Sequence, residues 1–233
     1  MHNRVILLTG ASSGIGAATA KLLGETSRLA LVARRADKLA ELAARISDTG
    51  GQAIAIPADL TDPVACAAVV EQTVGELGGL DVLINNAGIF GVGEHAAIDQ
   101  AHIDDQLALN LRAPMLLAHH AIPHLARDNG GWIVNVSSVA AEQTFAGCGL
   151  YSATKAALET WSRVLREELR TQGIRVSVVA PGATDTAVFD GSDFDRSKMA
   201  RVEDVARAIA FVISAAPTAN IDRLVVTPPG GAL

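Results

Sequence analysis

A rhythm constrains this chain more than any single residue. Short apolar runs, Arg4 to Thr9, Arg28 to Ala33, Gln52 to Pro57, Val82 to Asn85, Trp132 to Val136, Arg175 to Ala180 and Leu224 to Thr227, alternate with longer stretches of helical character. The longer stretches start and stop as helices do. Asp62-Pro63 pairs an N-cap with a first-turn proline, and Gly50-Gly51, Gly78-Gly79, Gly130-Gly131 and Gly173 mark ends. Strands buried on both faces and joined by right-handed helical crossovers predict an α/β fold, a doubly wound (Rossmann) parallel sheet of seven strands with helices on both faces. At 233 residues, without a linker or charge-rich seam, residues 1–233 read as a single domain. In such a sheet ligands bind beyond the carboxyl ends of the strands, so function is expected just after each run.

Composition narrows the partners. The chain is 49% hydrophobic but only 3% aromatic, so its core is built of Ala, Val, Leu and Ile. A formal net charge of −6, with no basic stripe, argues against nucleic acid. Cys66 and Cys148 lie far apart, with neither zinc-site spacing nor the density of a disulfide scaffold, which fits a reducing compartment. The run in MHNRVILLTG is too short to span a membrane and enters a glycine turn without a cleavage-site pattern, so a soluble cytoplasmic protein with no membrane partner is expected.

The segment TGASSGIG, residues 9–16, admits two readings. As a nucleophile elbow, Ser12 would attack an acyl group, but that chemistry needs a histidine late in the chain, and the last of the six histidines is His124. As a phosphate-cradling turn, Gly10 lets the chain turn off the strand, Gly14 lets backbone approach a pyrophosphate and Gly16 permits close helix packing. The helix amides then hold the anion. The end of the second run supports the second reading. Ala33 stands where an acidic residue would bind a ribose 2′-hydroxyl, and Arg34 and Arg35 follow. Two guanidiniums without that carboxylate suit a 2′-phosphate, which favours NADP over NAD. A solvated arginine pair is the alternative, but cations just before a helix start are disfavoured by the macrodipole unless an anion is near.

Chemistry is concentrated after the fifth run. In Tyr151-Ser-Ala-Thr-Lys155, spacing of i and i+4 puts phenol and ammonium on one helix face, where Lys155 is expected to lower the Tyr151 pKa toward use as a general acid or base. Ser138 ends the run Ile133-Val-Asn-Val-Ser-Ser138 and is placed either to orient a substrate carbonyl or to cap a turn.

Taken together, TGASSGIG, NNAG at Asn85 to Gly88, Asn110, Ser138, YSATK at 151–155 and Pro181-Gly182 resemble the short-chain dehydrogenase/reductase family in its compact, single-domain, NADP-preferring form. Ser138 lies thirteen residues before Tyr151, and the ordered set covers essentially the whole chain. The resemblance implies that Tyr151 donates the proton in carbonyl reduction, that Ser138 hydrogen-bonds the reacting oxygen, and that Lys155 tunes Tyr151 and binds the nicotinamide ribose. It assigns a relay water to Asn110. It makes Asp59 the adenine-binding acid, a residue that otherwise reads as a loop acid before the helix. Cofactor contacts are implied for Gly10, Ser12, Ser13, Gly14, Ile15, Gly16, Leu60, Asn86, Ala87, Gly88, Pro181, Gly182, Thr184 and Thr186, the last near the carboxamide. A homo-oligomer, dimer or tetramer, built through the helices at His102 to Arg127 and Leu150 to Gln172, is implied as well.

Departures bear on substrate. Thr184 replaces a commonly branched apolar residue, the polar stretch Thr186 to Met199 is short for a substrate loop or lid, and the ending IDRLVVTPPGGAL differs from that of fatty-acid-synthesis reductases. An acyl-carrier thioester is therefore disfavoured. His120 and His124 share helical spacing, but no third ligand is apparent and no metal is expected. Cys148, three residues before Tyr151, reads as a small buried hydrophobe in preference to a residue bordering the substrate cavity. Phe90 and Phe189, in loops after strands, read as pocket walls or as loop anchors. The reading is an NADP(H)-dependent oxidoreductase interconverting a small-molecule ketone or aldehyde with an alcohol. The other class is a dinucleotide-binding sensor or scaffold that turns nothing over.

Overall fold

Alternation within one strand shows how the chain is layered. In β1 (Val5–Thr9) the side chains of Val5 and Leu7 enter one core and those of Ile6 and Leu8 the other, all at most 1% exposed. Apolar residues at every position are what a strand covered on both faces requires. The computed structural model describes residues 3–125, 130–191, 195–216 and 218–231.

The other strands are β2 (Arg28–Ala33), β3 (Gln52–Pro57), β4 (Val82–Asn85), β5 (Trp132–Val136), β6 (Arg175–Pro181) and β7 (Arg223–Val226). They form one parallel sheet in the order β3-β2-β1-β4-β5-β6-β7, the predicted architecture. Helices α1 (Gly14–Gly24), α2 (Ala36–Asp48) and α7 (Val202–Ile213) bury Leu23, Leu39 and Ile209 on one face. On the other, α3 (Pro63–Leu77), α5 (Ala113–Leu125) and α6 (Gly149–Leu169) bury Val70, Leu117 and Leu165. Between α4 (Gln100–Leu107) and α5 the backbone passes through a π-helical turn, Ala108–Arg112. The expected assembly helix from His102 to Arg127 is thus two helices with a wider turn between, and Arg127 lies outside the described residues. Among those residues no helix is long and apolar enough to cross a membrane.

Caps follow the sequence. Asp62 accepts from Val64 N at 2.9 Å with Pro63 in the first turn, and Gly78 closes α3 with φ +77°. Strand limits shift where side chains have other work. Arg4 stays outside β1, its guanidinium bonded to Ile213 O and 4.8 Å from the centre of the Trp132 ring, which Arg175 also covers at 3.1 Å. β6 runs one residue further than expected because Pro181 pairs with Val226 and Gly182 N bonds Val226 O.

A buried chain of polar groups fastens α6 to the sheet. Asn85 and Asn135 are register partners, and Asn85 Nδ2 donates to Asn135 Oδ1 at 2.8 Å. Asn135 Nδ2 donates to Ser162 Oγ at 2.8 Å, and Ser162 donates to Leu158 O. At the carboxyl ends, β1 and β4 are neighbours whose chains leave in opposite directions, which opens a crevice between them. Thr9, fully buried, closes its floor: Oγ1 accepts from Asn86 N (3.0 Å) and Ala87 N (2.9 Å) and donates to Ile84 O (3.2 Å). Thr9→Val keeps the shape and strands the Ala87 amide, so unfolding in urea is expected to show a loss of about 1–3 kcal/mol. A loss below about 0.5 kcal/mol would show that the hydroxyl is dispensable.

Candidate active site

Backbone shapes the first part of the crevice. Gly10 adopts φ +68°, and a Cβ there would meet Asn86 Nδ2 at 2.8 Å and Ala87 Cα at 2.9 Å. A Cβ on Gly16 would lie 2.2 Å from Gly10 O. It would also meet Asn86 Nδ2 at 2.7 Å, so the missing side chain at Gly16 lets the first turn of α1 pack closely on the ends of β1 and β4, as expected. Gly14, at φ +52°, faces Thr186 Cγ2. Gly10, Ser12, Ser13, Gly14, Ile15 and Gly16 all line the resulting cleft, with the N-terminus of α1 opening into it. Bare backbone at a helix N-terminus is a cradle for an anion.

The cleft has a volume of about 1280 Å³ and runs from the end of β2 to the loops after β5 and β6. Exposed Arg34 and Arg35 stand at its first end. Arg35 precedes α2 as its N-cap and donates from Nη2 to Ser12 Oγ (3.0 Å) and Ser12 O (3.2 Å). This ties Ser12 to the Arg35 guanidinium, and among the described residues no histidine is hydrogen-bonded to it. Asp59 accepts from Thr61 N (3.0 Å) and Thr61 Oγ1 (2.8 Å), and these bonds, aided by the Arg34 charge, hold its carboxyl below the usual range. Asp62 caps α3, leaving Asp59 at the cleft edge beside Leu60, whose own side chain is buried. A glycine cradle, a helix N-terminus and two guanidiniums along one channel fit an elongated, phosphate-bearing dinucleotide.

Asn86, Ala87 and Gly88 form the middle of the floor, and Pro181, Gly182, Thr184 and Thr186 lie along it after β6. Asn86 Nδ2 donates to Thr9 O at 2.9 Å. Thr184 is buried, with its hydroxyl donated to Gly182 O at 2.9 Å. A Cβ on Gly88 would sit 3.1 Å from Asn110 Oδ1 and 3.6 Å from Lys155 Nζ, so bare Gly88 keeps the space between those two groups open.

Ser138, Tyr151 and Lys155 meet at the other end. Ser138 caps the turn, its Oγ accepting from Ala140 N at 3.1 Å, and its side chain hydrogen-bonds Tyr151. Desolvation inside the cleft raises the phenol above its ordinary range, and the Ser138 bond offsets part of that rise. Lys155 is only 5% exposed and donates from Nζ to Val136 O at 2.9 Å, with Nζ 5.7 Å from the Tyr151 ring centre. Burial pushes its pKa down to about 8, against the pull of the Glu159 carboxylate one turn on. Lys155 is not among the groups that move the phenol, so the lowering expected from helical spacing is not found. Burial acts on both groups and drives their pKa values in opposite directions. Asn110 lies inside the π turn, fully buried, accepting from Ile89 N and donating to Ile89 O, both at 2.9 Å, and to Thr154 Oγ1 at 3.3 Å.

Thr9 escaped the sequence reading. It carried no signal beyond standing before a glycine. Phe90 and Phe189, read only as candidate walls, do line the cleft, and Phe90 meets the Tyr151 ring edge-on at 4.9 Å. Cys148 borders the cleft as a buried thiol, its pKa raised by desolvation. The stretch 186–199 contributes Thr186 to Phe189 to the lining, and its residues 192–194 lie outside the described ones. Among the described residues no group of three or more His, Cys, Asp or Glu is placed to hold a metal.

Comparison with known proteins identifies the family. The family model described as short chain dehydrogenase matches residues 4–196. The chain belongs to the short-chain dehydrogenase family. This short-chain dehydrogenase is similar to cis-4-hydroxycyclohexanecarboxylate dehydrogenase of Sinomonas cyclohexanicum, at 34% identity over 241 residues, covering 97% of this chain and 96% of that one. Among solved structures it resembles a short-chain dehydrogenase from Burkholderia cenocepacia J2315 in complex with NADP, at 38% identity and a TM-score of 0.91, covering 99% and 98% of the two chains. A blue fluorescent protein from a metagenomic library, in complex with NADPH, matches at 31% identity and a TM-score of 0.89, covering 99% and 98%.

Tyr151 is the sole tyrosine of this short-chain dehydrogenase, so tyrosinate absorbance reports on it alone. In the cofactor-free protein, with folding followed by circular dichroism, its midpoint is expected above 10.0, and Ser138→Ala is expected to raise it further. A wild-type midpoint at or below 10.0 would overturn this account of the site.

Proposed function

We propose that the protein is an NADP(H)-dependent oxidoreductase that interconverts a ketone or aldehyde with an alcohol, with Tyr151 as general acid and base. One observation carries the reading: a single cleft joins an anion cradle and the Arg34–Arg35 pair at one end to Ser138, Tyr151 and Lys155 at the other. The NADP and NADPH complexes among its structural relatives support the choice of cofactor.

When bound, the dihydronicotinamide supplies the hydride that reduces the carbonyl carbon, and is itself oxidised. The chain does the rest. Arg34 and Arg35 hold the 2′-phosphate, Asp59 the adenine, and the backbone from Gly10 to Gly16 the pyrophosphate. Asn86, Ala87, Gly88, Pro181, Gly182, Thr184 and Thr186 border the nicotinamide half. Ser138 donates to the carbonyl oxygen, which draws negative charge toward that atom, and Tyr151 passes its proton to it. A phenol raised by burial holds that proton until the oxygen becomes basic enough to take it. Lys155 binds the ribose and then replaces the proton that Tyr151 has lost, helped by a pKa near neutrality. Asn110, whose side chain is bonded to Ile89 and Thr154, is the residue to which the family resemblance assigns the relay water. Residues 186–199 act as the substrate loop.

A broad panel of carbonyl compounds, read by consumption of NADPH absorbance, tests the reading. Tyr151→Phe is expected to cut kcat by about 10²- to 10⁴-fold while NADPH still binds. If wild type and variant both bind NADPH and neither reduces any compound, the protein is a dinucleotide sensor or scaffold. Arg34→Asp is expected to weaken NADPH about 10- to 100-fold and NADH far less. Equal losses for the two would remove the 2′-phosphate from Arg34.

A further inference from the structure

The cleft beyond Tyr151 is walled by Phe90, Val92, Val139, Phe145, Val188 and Phe189. Aromatic surface begins at the phenol itself, with the Phe90 ring against Tyr151 and Phe189 6.1 Å beyond. Val92 and Val188 are 63% and 53% exposed, so apolar surface at the mouth stands open to water.

Among the described residues, the Lys and Arg side chains that line the cleft are those of Arg34, Arg35 and Lys155. Arg34 and Arg35 lie after β2, three strands from β5 and about 14 Å away at ordinary strand spacing. Lys155 is buried with its ammonium on Val136 O. The substrate loop brings Arg196 and Lys198 to this side, but Arg196 is clamped by Asp185 and Asp190, and Lys198 pairs with Asp195. By sequence, residues 192–194 are Ser, Asp and Phe and add no cation. Asp105, also on the cleft wall, adds a negative charge.

We infer that the site takes a neutral, largely apolar cyclic or aromatic ketone, or its alcohol, and refuses the same skeleton bearing a carboxylate. The inference rests on the proposed NADPH-dependent carbonyl chemistry. An apolar ring gains by covering the Phe90 and Phe189 surface and drying the reacting oxygen. A carboxylate on the same ring is desolvated against valine and phenylalanine with no cationic partner among the described residues of that wall, and that loss exceeds what the wall returns.

The test compares matched pairs that differ in charge at one point: methyl 4-acetylbenzoate with 4-acetylbenzoate, and methyl 4-oxocyclohexanecarboxylate with its free acid, each with NADPH. Esters are expected to exceed acids in kcat/KM by ~100-fold. Val188→Arg, at an exposed position, is expected to narrow that ratio about fivefold by supplying the missing cation. Equal rates on acid and ester, or preference for the acid, overturns the inference, as does a ratio that Val188→Arg leaves unmoved. If no member of either pair is reduced, the inference falls. Activity on the broader carbonyl panel then keeps the oxidoreductase reading, and its absence there removes that reading too.

Discussion

The hydroxyl of Thr9 ties together two loops that the topology drives apart. At the crevice the chain leaves β1 toward α1 and leaves β4 toward α4, and little backbone pairing holds the diverging segments in register. Oγ1 accepts the amides of Asn86 and Ala87, while Asn86 returns its side-chain amide to Thr9 O. The turn above is compact only because Gly10 and Gly16 carry no Cβ, a closure a single methyl would wedge open. The position of the cleft floor relative to Ser138, just past the end of the next strand over, follows from that knot. Rigid elements then hold the reacting groups: the polar chain through Asn85, Asn135 and Ser162 pins α6, and with it Tyr151 and Lys155, to the sheet.

Electrostatics at the far end follow from dryness. A phenol and an amine have similar ordinary pKa values, near 10 and 10.5, and burial moves them apart, the phenol up and the amine to about 8. Two titratable groups displaced in opposite directions inside one cleft mark where protons are handled. An anionic ligand entering the cleft favours the ammonium form of Lys155 and so restores the charge that burial removes.

The sheet was almost wholly legible because its strands are continuous apolar runs and its helices carry strong caps, as at Asp62-Pro63 and Gly78. Limits slipped by a residue where a side chain had a long-range partner, as Arg4 has in Trp132. In the site, residues in dense local motifs were readable: the glycines, the arginine pair, and Tyr151 with Lys155. Two kinds of information were not. Thr9 and Asn110 act through partners 75 and 21 residues away, and nothing local announces a hydroxyl or amide turned onto distant backbone. The behaviour of the phenol depends on how deeply it lies beside Phe90, and helical spacing alone assigned it to the lysine.

The carboxylate next to Lys155 does not end in the interior. Glu159 pairs with Arg223 Nε at 2.9 Å, and the same guanidinium reaches Glu142 at 3.1 Å, whose side chain is 61% exposed. Charges of alternating sign thus run from the buried amine through the last strand to solvent. Dissolved salt screens the outer pair far more than the inner one. The proton affinity of an amine with almost no contact with water is in this way tied to the ionic strength of the medium outside.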